Sequence, residues 1–288
     1  MSFINVMNEY LDYLLSIGRS KKTINTYRKN LTKYYRYLSS KKNSEIFIDE
    51  VSSYDFEEFL LNNTDSLSTT TKCNVTTDFK SFMAYCFRKG LCTNNVAKEI
   101  KKAKRRIKEK TSLTEEEFQS LVNNISNPII RCVVYTMFYS GCRINELVQL
   151  TVDDVDLIRN TITIRNPKSH SNKRRIIPIS KKLKSILLEY LTIRIGEDTE
   201  DSFFVLKRSG RISDSTINKA IHEGAIKAGI DRQITNHIIR HTFASLLAEK
   251  GIDLKRIQEL LGHSNLEVTN IYLHASPRSL REAVNLIK

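Results

Sequence analysis

The 288-residue sequence has no run of eighteen or more apolar residues, which argues against a membrane-spanning helix. Its opening stretch, MSFINVMNEYLDYLL, lacks the basic start of a secretory signal and carries Glu9 and Asp12 inside its apolar pattern. Among five cysteines (Cys73, Cys86, Cys92, Cys132 and Cys142) there is no C-x-x-C pair, and most sit in apolar stretches. That odd, unpaired set predicts reduced, buried thiols rather than a disulfide framework or a zinc site. There is also no internal repeat and no low-complexity segment. Together these absences point to a cytoplasmic protein with no metal.

What the sequence has in excess is positive charge. Lys and Arg total 46 against 32 Asp and Glu, a formal net charge of +14, a common electrostatic signature of proteins that neutralise phosphates, whether of nucleic acid or of an anionic membrane. Residues 1–110 carry 21 basic and 12 acidic side chains, net +9, and the remainder 25 and 20, net +5. Hydrophobic residues at 40% and charged residues at 27% match a folded globular chain, and the length suits two domains.

The N-terminal third reads as helical. Phe3, Met7, Leu11 and Leu14 form one apolar stripe at helical spacing, and Ile24, Tyr27, Leu31, Tyr34 and Leu38 form another. Arg28, Lys29, Lys33 and Arg36 fall off the second stripe, open to solvent or phosphate. A third helix is predicted from about Ser52, with Asp55 completing its cap and Phe56, Phe59 and Leu60 inward. A fourth fits Thr70 to Lys89, with Phe79, Phe82, Met83 and Cys86 on one side. The expected result is a helical bundle over residues 1–100.

Between Lys98 and Lys110 eight of thirteen residues are basic. A linker over 101–111 follows, either a solvated tether or a basic strap across a DNA backbone. The second domain, 112–288, opens with a capping box, Thr114 to Glu117. A buried helix is expected from Ile129 to about Leu150. The period then changes: TITIR at 161–165 and RRIIPI at 174–179 have strand character, with a turn-rich loop between them. Further helices fit Lys181 to Ile195, Asp214 to Ala228, Ile238 to Lys250, Asp253 to Leu261 and Ser279 to Ile287.

Three local patterns carry chemistry: GCRINEL at 141–147, HIIRHTFAS at 237–245, and LGHSNLEVTNIYLH at 261–274. Taken singly each is weak. Arg143 reads equally as an ion-pair partner of Glu146, His263 as a helix C-cap, and Tyr272 is one of twelve tyrosines. In this order, with a lysine between the two strands, they resemble the tyrosine recombinases, the lambda-integrase family. SKKTINTY at 20–27 is similar to the opening of that family's core-binding domain, so the resemblance covers nearly the whole chain. The Asn-Pro-Ala ending of the family's bundle is here Asn94-Asn95-Val96-Ala97, and its Thr-Thr pair before the nucleophile is Val268-Thr269.

The resemblance implies a mainly α fold with a small β-sheet. A SAM-like, DNA-binding helical domain and a mixed α/β catalytic domain would make a C-shaped clamp on double-stranded DNA. It implies Tyr272 as the nucleophile that makes a 3′-phosphotyrosyl link, with Arg143, Lys168, His237, Arg240 and His263 around the phosphate. Lys168 comes straight off the first strand, but the loop is about two residues longer than the family's, so Lys173 is a rival. His241 and His274 read as packing residues, and Asp154 and Asp156 as structural caps. Strand exchange would pass through a Holliday junction in a tetramer, of this chain alone or with a paralogue, and the apolar stripe of Leu280, Val284 and Ile287 would dock in cis or in trans. With no arm-binding domain ahead of the bundle, an Xer-like recombinase is expected; resolution of chromosome dimers and movement of a mobile element both fit. A relaxing enzyme of the type IB topoisomerase kind and a non-catalytic DNA-binding protein are the alternatives.

Overall fold

A computed structural model describes residues 1–63, 68–101, 112–165, 174–194, 202–206 and 210–262. The chain forms two compact units, residues 1–108 and 109–288. Apart from Lys101, the expected basic linker lies outside the described residues, as does the expected terminal helix at 279–287.

Unit one is helical. Phe3–Ser16 (α1), Lys21–Lys42 (α2), Ser53–Asn62 (α3), Thr69–Arg88 (α4) and the short Val96–Glu99 (α5) follow one another. Three helices start at a serine whose hydroxyl accepts a backbone N–H three residues on: Ser20 from Thr23, Ser52 from Asp55 and Ser68 from Thr71. The two apolar stripes are buried as their spacing predicts, with Tyr27 only half-buried. Phe56 and Phe79 stack at 4.0 Å and Tyr34 meets Phe79 edge-on at 4.7 Å, pairs that add about 0.5–1.5 kcal/mol each beyond burial. Asp55 is held inside by Lys41 at 2.9 Å.

The other side of α2 is polar. Lys22, Asn25, Thr26 and Lys29 lie at helical spacing and, with Thr71 and Asn74 of α4, line an open cavity of about 600 Å³. Among the described residues no carboxylate lines it, and Asp78 of α4 accepts from Asn30, at the cavity wall, at 2.7 Å. Arg28, Lys33 and Arg36 are exposed beside this face, and Arg28 donates to Asn8.

Unit two is built around one buried helix. Glu115–Asn123 (α6) starts with the expected capping box, Thr114 and Glu117 exchanging backbone–side-chain bonds of 2.9 and 3.1 Å. Pro128–Ser140 (α7) starts at the Asn127 cap and buries Val133, Val134 and Met137 completely. The helix expected to run on to Leu150 is broken: it ends at Gly141, and only Ile144–Leu147 (α8) resumes it.

Thr161–Ile164 (β2) and Arg175–Pro178 (β3) pair antiparallel, Ile162 opposite Ile177, and Val155–Asp156 (β1) adds a third strand beside β2. The extra strand and a second hairpin, Val205–Leu206 (β4) with Gly210–Arg211 (β5), are too short for any periodicity to announce them. Lys181–Ile193 (α9), Asp214–Lys227 (α10), Asn236–Glu249 (α11) and Leu254–Leu261 (α12) complete the unit. Helices α9 and α11 pack against α7, and α12 against α11 and β3. Among the described residues no helix is long and apolar enough to cross a membrane.

Candidate active site

Helix α7 stops because Gly141 takes the left-handed conformation, φ +63°, its N–H closing on the Met137 carbonyl at 2.9 Å. Only glycine fits there, since a Cβ would lie 2.4 Å from the Phe243 ring of α11. The turn then buries Cys142 and leaves Arg143 as the N-cap of α8. A guanidinium has no acceptor for the helix N–H groups. Glu146 supplies the acceptor instead, its Oε2 taking the Arg143 backbone N–H at 2.7 Å and its Oε1 taking Arg143 Nη1 at 2.9 Å.

Two further guanidiniums close on the same carboxylate. Arg175, the first residue of β3, binds both oxygens in a fork, 2.8 Å to each. Arg240, on α11 and almost fully buried, brings Nη1 to 4.0 Å from Oε2. Burial would raise the Glu146 carboxyl, but the Arg175 fork overrides it and holds the group down at about 2. Burial, with the Arg143 charge beside it, pulls Arg240 down to about 10, so it stays a cation at neutral pH. Three cations surround one anion, and the surplus charge is positive.

The same three arginines hold the end of α12. Its last carbonyls have no partner in the helix and carry the negative end of its dipole. Arg175 Nε donates to Leu260 at 3.0 Å, Arg240 Nη2 to Leu261 at 2.7 Å, and Arg143 Nη2 to Gly262 at 3.3 Å. Arg240 Nη1 also donates to the Gly141 carbonyl at 2.6 Å. The chain leading into His263 is thereby fastened, carbonyl by carbonyl, to the arginine cluster.

Of the residues singled out from the sequence, Arg143 and Arg240 come together here. His237 sits on the first turn of α11, exposed, with Arg240 one turn further on; that helix begins at Asn236, as the shared direction of the two requires. Asn236 is pinned to α10 through Asn218 at 2.8 Å. His241 is buried. Lys168, Lys173, His263 and Tyr272 lie outside the described residues. Asp154 accepts from the Thr151 N–H at 3.0 Å and pairs with Arg165 at 2.7 Å, while Asp156 caps the turn at Ile158 and Arg159. Burial pushes the Cys142 thiol up to about 11, so it is neutral and no nucleophile. Among the described residues no cluster of His, Cys, Asp or Glu is arranged to hold a metal.

The sequence reading missed Arg175, which it counted only as strand. A signal was there. In a strand of period two Arg175 shares a face with Ile177, which is buried, and an arginine on an inward face requires a carboxylate.

Residues 111–278 match the phage integrase family, and residues 7–90 match the phage integrase N-terminal SAM-like domain. The chain is 31% identical to the tyrosine recombinase XerD of Staphylococcus saprophyticus over 97% of both chains. It is 30% identical to XerA of Pyrococcus horikoshii, over 99% of this chain and 94% of that one. A solved structure of the site-specific recombinase XerH, bound to a palindromic difH substrate after cleavage, is also similar. It aligns with a TM-score of 0.75 at 26% identity, over 92% of this chain and 79% of that one. The chain belongs to the phage integrase family and, within it, to the tyrosine recombinases of Xer type.

Proposed function

We propose that this recombinase cuts a specific DNA site through Tyr272, with Arg143 and Arg240 clamping the scissile phosphate. The observation that carries the reading is the convergence of these two guanidiniums on Glu146, held there with surplus positive charge. The transition state gathers charge on the non-bridging phosphate oxygens, and fixed guanidiniums bind such oxygens through paired hydrogen bonds.

The Tyr272 oxygen attacks phosphorus and the bond to the 5′ oxygen breaks. His237 accepts the phenol proton, Lys168 protonates the leaving oxygen with Lys173 as its rival, and His263 donates a hydrogen bond to the phosphate. The bond energy is kept in the 3′-phosphotyrosyl ester, so rejoining needs no nucleotide cofactor. The reverse attack by a 5′ hydroxyl from a second duplex gives the Holliday junction, in a tetramer of this chain or of this chain and a paralogue, acting on DNA in the cytoplasm.

The polar face of α2 and α4 takes the duplex in unit one, its lysines on phosphates and its amides and hydroxyls within reach of base edges. Division of the chain at a basic linker over 101–111 fits the same use. The test is a duplex selected by this protein from random-sequence DNA and nicked beside the cleaved phosphate. A covalent protein–DNA adduct is expected, and none with Tyr272→Phe. An adduct of normal yield with that variant overturns the assignment of the nucleophile.

A further inference from the structure

We propose that Arg175 is a positioning residue for the phosphate clamp: by holding both oxygens of Glu146 it keeps that carboxylate from capturing Arg143. The inference rests on Arg143 acting on phosphate, as set out above. Arg175 itself is turned away from that task. Its Nη1 and Nη2 are taken by Glu146 at 2.8 Å, its Nε by the Leu260 carbonyl at 3.0 Å, and its side chain is only 18% exposed. Arg143 is the opposite case, with a side chain 43% exposed and a single Nη1 bond to Glu146.

The division of Glu146 between the two arginines decides what Arg143 has left. A carboxylate and a guanidinium prefer the two-bond fork. In this protein Arg175 occupies the fork, and the Arg143 side chain gives Glu146 one bond and the Gly262 carbonyl a longer one at 3.3 Å, enough to orient it while it stays 43% exposed. Without Arg175 the Glu146 carboxylate has Arg143 as its nearest cation, and the fork forms there. The cluster then loses one of its two surplus positive charges, and the clamp is occupied by protein instead of phosphate.

Arg175 also fixes where the clamp sits. It is the first residue of β3, and it bonds α8 through Glu146 and the end of α12 through Leu260. Gly262 leaves the room it needs, since a Cβ there would meet Arg175 Nη1 at 2.7 Å. Helix α8, which follows Arg143, and the end of α12 are therefore joined to β3 through one guanidinium.

The test is single-turnover cleavage of the selected, nicked duplex by the full chain, with DNA affinity measured alongside. Arg175→Met is expected to cut roughly 10²-fold more slowly while its Kd for DNA changes by about twofold or less. Adding Glu146→Gln to Arg175→Met removes the competing charge and is expected to restore about tenfold of the loss with no matching gain in urea-unfolding stability, whereas a merely structural role of Arg175 predicts rate and stability recovering together. If Arg175→Met does not fold, Arg175→Lys serves: a single ammonium cannot make the fork, so slow cutting relieved by Glu146→Gln is again expected, and wild-type cutting overturns the proposal. A wild-type rate from Arg175→Met, or no gain from the second substitution, overturns this inference alone. No adduct from the wild-type protein overturns the reading of the site as well.

Discussion

The Arg240 guanidinium on α11 donates to the carbonyl of Gly141, the left-handed residue that stops α7, at 2.6 Å. Its other Nη reaches the Leu261 carbonyl at the end of α12. One buried cation thus ties together two helix ends whose unpaired carbonyls would otherwise have no partner there, and those ends carry the approaches to Arg143 and to His263.

Arg240→Lys is therefore expected to lose more than charge geometry. An ammonium on a flexible stem cannot span both carbonyls and still present a planar pair of donors. Single-turnover cleavage should fall roughly 10²–10³-fold, the usual loss for one transition-state donor. A rate within about threefold of wild type would remove Arg240 from the clamp.

Gly141→Ala is expected to cost on the order of 2–4 kcal/mol of stability, measured by urea unfolding of the full chain. The cost has two sources, a left-handed φ of +63° and a Cβ 2.4 Å from the Phe243 ring. Gly229→Ala, left-handed with open space around it, should cost less.

Acid should weaken unit two through Glu146. Its carboxyl titrates at about 2 in the fold against 4.5 as an ordinary glutamate, so the stability it contributes is whole above pH 4.5 and lost as pH falls towards 2. The loss is on the order of 3 kcal/mol. Unfolding free energies at pH 5 and pH 2.5 should show it, and the Glu146→Gln protein, whatever its stability at pH 5, should lose less over that interval.

Lys22→Ala and Lys29→Ala should each weaken DNA binding and lower the slope of log Kd against log salt by about one, if each lysine neutralises a phosphate. Both are exposed on the α2 face. Unchanged slopes for both would move the DNA away from that face.

Much of the fold was legible because helical stripes and serine caps are local. Phe3, Met7, Leu11 and Leu14 are buried as spaced, and the caps at Ser52 and Thr114 form where the residue types put them. The reading failed where a local signal competed with tertiary contact. Residues 129–150 are apolar enough to continue as one helix, but Gly141 ends α7 against the Phe243 ring. Strands β1, β4 and β5 hold two residues each, below any detectable period.

The order of motifs along the chain was enough to determine the family and to mark candidate reactive residues, because chemistry constrains identity and spacing. It could not determine how charge is shared among them. That Glu146 lies between Arg143, Arg175 and Arg240, and that three successive carbonyls at 260–262 each take one arginine, depends on the packing of α8, β3, α11 and α12. Hydrogen bonds between residues far apart in sequence leave no periodic trace, and only the folded chain brings those partners within reach.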